Sequence, residues 1–297
     1  MSTAGLPQLV ACQLNSQEDI EQNLDCVNRL LAQYRADATK TEPGHALLVV
    51  LPENVACFAA NQQARTAERF EEIQQAFADM ARRHDCWLIA GTVPCPFRPD
   101  GSRIADGRVR SACMAYDPSG KLIGRYDKIH LFDAQVADGT GGYQESRWFE
   151  PGDAVVSVAT PFAQLGLQVC YDLRFPELSL ALRAAGADVL TAPSAFTELT
   201  GRKHWELLLR ARAADSQCYV IGAGQQGTHG QRKTWGHSAI AHPDGYLIGQ
   251  TQTEGSSLIT AWYDPTELEA IRLAMPLMAH RRLDVTSPVS AKDFTHG

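Results

Sequence analysis

The chain contains the same succession of short apolar strands and amphipathic helices twice, and each succession ends in a hairpin. In both halves the second strand is a nearly continuous apolar run closed by proline, at Pro52 and at Pro193. Such runs are typical of parallel strands that are covered on both faces. The hairpins share the pattern Pro-x-Gly-x-Leu-Ile-Gly, which begins at Pro118 and again at Pro243. The sequence therefore predicts two pseudo-equivalent halves that close into one α/β domain.

Other segments of the two halves fit this alternation of strands and helices. Ser16 and Asp19 have the spacing of a capping box, so a helix is expected to start there. Further helices are expected around the apolar stripe of residues 70–80, from Pro176 onward and over residues 205–214.

The 297 residues are expected to form a single domain, 1–297. This length suits one large domain or two small ones, and no Pro/Ser-rich linker separates the two halves. The expected core runs from about residue 8 to residue 285. The tail after about residue 281 lacks clear periodicity and is predicted to pack as an arm, on this chain or on a partner subunit.

Charge and composition exclude several classes of protein. There are 34 acidic against 27 basic side chains, a net charge of −7, so the excess of cations that nucleic-acid binding needs is absent. No apolar run reaches 18 residues and no signal peptide precedes the first strand, which predicts a soluble, cytoplasmic protein without membrane contact. The eight cysteines include no C-x-x-C pair and predict reduced thiols, of which one is a candidate nucleophile.

Three residues at predicted strand ends or in apolar surroundings are candidates for catalysis. In open α/β sheets reactive groups gather beyond the carboxyl ends of strands. Glu53 follows an apolar strand and Cys170 is the last residue of another, the strand from Leu165, in what the pattern indicates are equivalent places. After such a turn the Tyr171 N–H is placed to face a developing oxyanion. Lys128 is a charged residue in a largely apolar stretch, so its ammonium needs a partner or a cavity.

Each of these residues also has an ordinary structural explanation. A cysteine at the end of an apolar strand is commonly an inert core residue. Glu53 fits equally well as the cap of the next helix, and Lys128 as a strand residue whose ammonium reaches the surface. The catalytic interpretation therefore depends on the three residues occurring together.

Three separated blocks of sequence resemble the signature blocks of the nitrilase, or carbon–nitrogen hydrolase, superfamily. The blocks are Leu51-Pro52-Glu53-Asn54, Tyr126-Asp127-Lys128-Ile129-His130-Leu131-Phe132 and Val169-Cys170-Tyr171-Asp172-Leu173-Arg174-Phe175-Pro176-Glu177-Leu178. The resemblance extends over nearly the whole chain. It implies a four-layer α-β-β-α sandwich of two halves, which agrees with the repeated order of elements. Leu51 stands where phenylalanine is commoner in the family.

The resemblance also implies a catalytic set of Glu53, Lys128 and Cys170. The family often has a further glutamate before a Pro-Gly, and the position upstream of Pro151-Gly152 that matches it is Glu145. No metal or organic cofactor is implied, and the family commonly forms homodimers.

The implied chemistry explains why these residue types are required. A thiol is mostly protonated at neutral pH, so a base such as Glu53 must take the Cys170 proton during attack on a carbonyl. Lys128 and the Tyr171 N–H would stabilise the oxyanion, and water activated by Glu53 would release the acid from a Cys170 thioester. Glu145 is expected to orient Lys128 or the substrate. The expected function is an amidase that converts a small carboxylate-bearing amide to an acid and ammonia.

Within the superfamily, residues 193–197 and 204–213 are most similar to the deaminated glutathione amidases. Members of that branch yield 2-oxoglutarate and cysteinylglycine. The alternative is the ω-amidase branch, which acts on 2-oxoglutaramate or 2-oxosuccinamate and usually has glycine at the position of Ser194. All of these substrates carry a carboxylate, which a bidentate Arg174 would bind unless it forms an ordinary surface ion pair. Phe196 and Thr197 are further candidate substrate contacts.

A glycine-rich segment raises a distant alternative, a nicotinamide-dependent oxidoreductase. Gly222, Gly224 and Gly227 match G-x-G-x-x-G after a predicted strand. Residues 228–236 are polar and broken by glycine, so no helix N-terminus is expected for a pyrophosphate. A metal site is not expected either, because His130 and Asp133 do not complete a ligand set.

Overall fold

The computed structural model describes residues 5–38, 45–140, 142–251, 254–283 and 290–293. The strands are β1 (Gln8–Gln13), β2 (Leu47–Val50), β3 (Trp87–Cys95), β4 (Arg110–Tyr116), β5 (Leu122–Asp127), β6 (Asp133–Ala134), β7 (Tyr143–Gln144), β8 (Ala154–Ala159), β9 (Gln164–Leu167), β10 (Val189–Ser194), β11 (Tyr219–Gly224), β12 (Gln226–His229), β13 (Arg232–Trp235), β14 (Ala239–Ala241), β15 (Leu247–Gln250), β16 (Ser257–Trp262) and β17 (Ser290–Asp293). The helices are α1 (Ile20–Ala38), α2 (Gln63–Glu68), α3 (Phe70–Arg83), α4 (Pro176–Ala184), α5 (Glu198–Ser216), α6 (Pro265–Ala274) and α7 (Leu277–His280). Two 3₁₀ turns, Glu145–Arg147 and Cys170–Arg174, carry active-site candidates.

The two halves form two large sheets with matching connectivity. The first sheet has the order β16-β1-β2-β3-β4-β5 and the second the order β17-β8-β9-β10-β11-β14-β15. In each sheet three parallel strands are followed by two antiparallel ones, β1-β2-β3 then β4-β5 and β9-β10-β11 then β14-β15. The outer neighbours of these parallel strands also correspond, because β16 pairs antiparallel with β1 and β8 pairs antiparallel with β9. The predicted repetition of the two halves is confirmed.

The layers follow from the alternation of side chains along each strand. In β1, Leu9 and Ala11 belong to the core that joins the two sheets and continues onto α4 and α5. Val10 and Cys12 point the other way, into the core between the first sheet and the helices α1 and α3. Because both faces of the strand are buried, its sequence is apolar throughout. The resulting order of layers is helix, sheet, sheet, helix, and it confirms the predicted α-β-β-α sandwich.

Two predicted helix starts were wrong. Helix α1 begins at Ile20, and Asp19 alone caps it by accepting a hydrogen bond from the Gln22 N–H at 2.9 Å. Ser16 is buried instead and donates to the Val55 carbonyl at 3.0 Å. Helix α5 begins at Glu198, well before the predicted residue 205, because the Thr197 hydroxyl caps it. Its first turns carry few apolar residues, so the apolar periodicity did not mark them.

The C-terminal segment adds a strand to the edge of the second sheet. Strand β17 pairs in parallel with β8 of the same chain, from Ser290 opposite Ala154. Residues 284–289 and 294–297 of the predicted arm lie outside the described residues, and the exact bounds of the domain and its arm stay predictions. Across the described part of the chain, no helix has the length and apolarity needed to cross a bilayer.

Candidate active site

Glu53 lies in a tight turn directly after β2. A Cβ on Gly91 of β3 would lie 1.7 Å from the Pro52 carbonyl oxygen, so only glycine lets this strand approach the turn so closely. The next residue, Asn54, has a left-handed backbone with φ of 56°. The turn thereby places Glu53, which is 4% exposed, at the carboxyl end of the first sheet.

Cys170 lies in a strained turn at the same end of the second sheet. Strand β9 ends at Leu167, three residues earlier than the predicted apolar run, and Cys170 opens a 3₁₀ turn with φ of 49°. A left-handed backbone costs a non-glycine residue roughly 1–2 kcal/mol. Strain of this kind persists where the surrounding structure holds it, and it is concentrated at functional sites. The expected strand-to-helix turn at Cys170 is present.

Glu53 and Cys170 do not occupy equivalent places, contrary to the sequence interpretation. Glu53 follows β2, whose counterpart in the second half is β10, whereas Cys170 follows β9, the counterpart of β1. The two residues nevertheless meet, because both strands end at the same edge of the stacked sheets. Proximity therefore comes from the stacking of the sheets and not from the pseudo-symmetry.

Lys128 connects the two glutamates of the predicted set. It follows β5, is 2% exposed, and donates to Glu53 Oε1 at 2.8 Å. It also donates to both carboxylate oxygens of Glu145, at 3.0 and 2.9 Å. The 3₁₀ turn that carries Glu145 is held in place because a carboxylate oxygen of Glu145 accepts a hydrogen bond from the Phe132 N–H at 2.6 Å. The structure thus brings Glu53, Lys128 and Glu145 together as one hydrogen-bonded group.

The charges in this group determine the protonation states. Burial alone would lower the pKa of Lys128, but the carboxylates of Glu145 and Glu53 outweigh it and raise that pKa well above its ordinary value. Burial and the Glu53 charge raise the pKa of the Cys170 thiol well above its ordinary value, although Lys128 opposes this. At neutral pH Lys128 is therefore an ammonium and Cys170 a neutral thiol. A base has to remove the thiol proton when the nucleophile attacks.

These side chains lie on the wall of a cavity of about 720 Å³. Glu53, Lys128, Glu145 and Cys170 all line it, and so does Thr197. The volume is in the range of sites that enclose a small organic ligand. The cavity is therefore large enough for a peptide-sized amide.

Three predicted contacts lie outside the cavity wall. Tyr171 follows Cys170 in the 3₁₀ turn, where the first N–H groups have no acceptor within the turn. The Arg174 guanidinium lies over the rings of Phe196 and Tyr171, at 5.2 and 5.8 Å, and contacts His204 Nδ1 at 3.2 Å. Phe196 itself packs on Trp205. Substrate binding by Arg174 and Phe196 stays a prediction, and the geometry shows Arg174 engaged within the protein.

Sequence reasoning missed Asp172, which is fully buried and joins the segments that carry Lys128 and Cys170. Its carboxylate accepts hydrogen bonds from the Val169 N–H at 2.8 Å and from the Tyr126 hydroxyl at 2.7 Å. It also accepts from the His130 N–H at 3.2 Å and contacts His130 Nδ1 at 2.7 Å. One carboxylate therefore ties the residue before Cys170 to both sides of Lys128. All of these residues lie in the recognised blocks, which was the available signal.

Gln225 was also missed, because it falls within the glycine-rich segment that resembled a dinucleotide site. Its side chain donates to the Glu53 carbonyl at 3.0 Å and to Ser16 Oγ at 2.9 Å. Strand β11 ends at Gly224 and continues into the hairpin β12–β13, with no helix behind it. The segment thus supports the backbone of Glu53 from the second half of the chain. The helix that a dinucleotide-binding oxidoreductase would need for the pyrophosphate does not follow β11.

Replacing Asp172 with asparagine tests its positioning role. An amide has an acceptor on one side only, so with its oxygen toward Tyr126 and Val169 its NH2 group meets the His130 N–H. The Cys170 turn and Lys128 should therefore lose their fixed separation. We expect kcat to fall roughly 10²-fold with a smaller change in KM, since a displacement of about 1 Å can cost that much. The rate at which iodoacetamide alkylates Cys170 should fall in parallel.

A matched control separates positioning from general destabilisation. Asp188→Asn removes a carboxylate that is partly buried and that accepts from Arg272 and the Gln164 N–H at the opposite end of the sheet. Both variants should lower the unfolding midpoint, but only Asp172→Asn should slow catalysis. Equal kcat values in the two variants would contradict the assignment.

Fold and site together define a hydrolase of carbon–nitrogen bonds, with a cysteine, two glutamates and a lysine around one cavity. The carbon–nitrogen hydrolase family matches residues 9–273, and the chain belongs to that family. It is an amidase of the nitrilase superfamily, as the sequence predicted.

The similar proteins agree with this assignment. Deaminated glutathione amidase of Yersinia enterocolitica is 38% identical over 274 residues, 91% of this chain and 91% of that protein. The Homo sapiens protein of the same name is 36% identical over 96% of this chain and 85% of its own length. Among solved structures, the NitFhit protein of Caenorhabditis elegans has a TM-score of 0.82 at 34% identity, over 96% of this chain and 67% of that chain.

Proposed function

We propose that this amidase hydrolyses deaminated glutathione through a thioester on Cys170. The relatives that carry the name deaminated glutathione amidase support the substrate. The arrangement that supports the chemistry is the Lys128 ammonium, held by Glu53 and Glu145 beside a buried cysteine. That contact is the single observation on which the mechanism depends.

In the first step Glu53 acts as the base. Lys128 occupies Glu53 Oε1, which leaves the second oxygen for the Cys170 proton. As the proton moves, Sγ bonds to the amide carbon and the C=O electron pair moves onto oxygen. General-base assistance of this kind contributes roughly 10²–10⁴ in rate.

Lys128 and the Tyr171 N–H stabilise the resulting oxyanion. Glu145 and Glu53 keep Lys128 charged and fix its ammonium, so the donor is already oriented when the negative charge develops. The tetrahedral intermediate then collapses, the C–N bond breaks, and Glu53 gives its proton to the leaving nitrogen. Glu145 serves as the positioning partner of Lys128 and not as a second base.

Release of the acid repeats these roles with water. Glu53 takes a proton from a water molecule, the oxygen attacks the thioester carbon, and Lys128 with the Tyr171 N–H again stabilises the oxyanion. The C–S bond breaks and Glu53 returns the proton to Sγ. No metal or organic cofactor is needed at any step.

The two candidate substrates differ only in the leaving group. Deaminated glutathione and 2-oxoglutaramate, the ω-amidase substrate, would form the same 2-oxoglutaryl thioester. The first releases the amine of cysteinylglycine, and only the second releases ammonia, the product expected from the sequence. The cavity of about 720 Å³ has room for the dipeptide, which favours the larger substrate.

The substrate is tested by comparing kcat/KM for deaminated glutathione, 2-oxoglutaramate and an aliphatic nitrile. Production of 2-oxoglutarate follows the first two reactions, and ammonia release follows the nitrile. We expect deaminated glutathione to be preferred over 2-oxoglutaramate. A preference for 2-oxoglutaramate would assign the chain to the ω-amidases, and a preference for the nitrile would overturn the amidase branch altogether.

Assembly and location complete the proposal. We infer a homodimer or a higher homo-oligomer, as the resemblance to the family implies, and expect sedimentation to report at least twice the chain mass. All eight cysteines are free thiols, which supports a reducing, cytoplasmic location. Thr197, on the cavity wall, remains a proposed substrate contact.

A further inference from the structure

A substrate that carries a carboxylate needs a cation in the cavity, and the catalytic group does not supply one. Lys128 is the only cation among the four catalytic side chains of the inner wall, and it faces the two carboxylates of Glu53 and Glu145. These two side chains hold the single ammonium of the inner wall, which leaves no uncompensated positive charge there for a substrate. The chain as a whole is also acidic, with a net charge of −7. Attraction for an anionic substrate therefore has to come from other residues.

The outer wall of the cavity supplies these charges. Arg147, Arg232 and Lys233 line it, with Asp133 as the acidic residue among them. Among the ion pairs of the described residues, none involves Arg147, Arg232 or Lys233. The guanidinium of Arg232 lies over the Tyr143 ring at 5.2 Å, which orients its plane and leaves its N–H edge for an acceptor.

The strand that carries Arg232 and Lys233 is fixed to the nucleophile's surroundings. In β13 the Trp235 N–H donates to the Phe196 carbonyl at 2.9 Å, and Thr234 forms a β-bridge with Thr197. Ala195, the residue before Phe196, interacts through its backbone with the Cys170 thiol. The two cations are exposed at the cavity mouth, yet their strand is held in register with the active-site loop.

The order of the chemical steps indicates which part of the substrate faces this mouth. The acyl group stays on Cys170 until water attacks, whereas the leaving amine has to depart first, toward solvent. Because Arg232 and Lys233 are exposed at the mouth, they lie on the side of the leaving group.

We propose that Arg232 and Lys233 bind the terminal carboxylate of a peptide leaving group and so select dipeptide amides over simple primary amides. This inference rests on the proposed function, and it adds the subsite that distinguishes deaminated glutathione from 2-oxoglutaramate. The glycine carboxylate of the dipeptide is the matching anion. A primary amide has no group that reaches these side chains from the leaving side.

Three substrates test the subsite: deaminated glutathione, its analogue with a terminal glycinamide, and 2-oxoglutaramate. We expect wild-type enzyme to prefer the acid over the glycinamide by roughly tenfold in kcat/KM, mainly through KM, and to lose that preference at high salt. Arg232→Met and Lys233→Met should each reduce the preference, and the double variant should abolish it. Turnover of 2-oxoglutaramate should fall much less than turnover of the acid, because this substrate has no group on the leaving side and loses only the long-range attraction of the two cations.

Arg103→Met is the matched control. Arg103 is also exposed and stacks on an aromatic ring, Phe97 at 5.7 Å, but it does not line the cavity. Its replacement should leave all three substrates unaffected. Retained preference for the acid in the double variant, or an equal loss on all three substrates, would overturn the subsite. Failure of the proposed function is distinct, because wild-type enzyme itself would then not turn over deaminated glutathione.

Discussion

Cys170→Ala should abolish hydrolysis of deaminated glutathione while the protein stays folded. Without Sγ no thioester can form, and the remaining donors can only polarise the carbonyl toward water. The loss in kcat should exceed roughly 10⁴-fold, the scale on which removal of a nucleophile acts in other enzymes. Production of 2-oxoglutarate at saturating substrate is the measurement.

Cys86→Ala provides the matched control for this variant. Cys86 is fully buried directly before β3, in the core between the first sheet and the helices α1 and α3, away from the catalytic group. The control should lose about 1 kcal/mol of unfolding free energy, as is typical of a small core truncation, and keep its kcat. Turnover by Cys170→Ala at the rate of this control would remove Cys170 as the nucleophile.

Glu53→Gln should lower kcat by roughly 10³-fold and slow the alkylation of Cys170 at neutral pH. The amide cannot take the thiol proton, and the raised pKa of Cys170 leaves little thiolate to react directly. The Glu53 charge is itself one cause of that raised pKa, so its removal should lower the thiol pKa. Alkylation of the variant should therefore recover as the pH is raised, with a midpoint below that of the wild-type thiol.

A second cysteine, measured in the same mass spectra of the alkylated peptides, is an internal control for this experiment. Cys26 lies in α1, is partly exposed, and has no contact with Glu53. Its alkylation rate should be the same in both proteins. If Glu53→Gln left the rate at Cys170 unchanged at neutral pH, Glu53 would not be the base.

The backbone plan and the candidate catalytic residues were accessible from the sequence because they depend on local patterns. Apolar runs closed by Pro52 and Pro193 marked the central strands, and both sheets formed around them. Glu53, Lys128 and Cys170 each lie within a contiguous block that resembles the family. Strand ends then brought these blocks to one edge of the sheets.

The supporting contacts were not accessible, because they join residues far apart in sequence. Asp172 contacts Tyr126 and His130 across more than 40 residues, and Gln225 reaches Glu53 across 172. No periodicity encodes such pairs. The segment with Arg232 and Lys233 was interpreted only as polar and broken by glycine, whereas it forms a hairpin over the cavity. The prediction for Arg174 rested on its distance along the chain from Cys170, and its ring contacts became visible only in three dimensions.

The central claim is that the reaction passes through a thioester on Cys170, and trapping that intermediate tests it most directly. Enzyme mixed with one equivalent of deaminated glutathione would be quenched in acid during the first turnover and examined by peptide mass spectrometry. We predict a mass increase equal to one 2-oxoglutaryl group on the Cys170 peptide, absent from Cys170→Ala. An adduct on any other residue, or release of cysteinylglycine by Cys170→Ala at the wild-type rate, would contradict the mechanism.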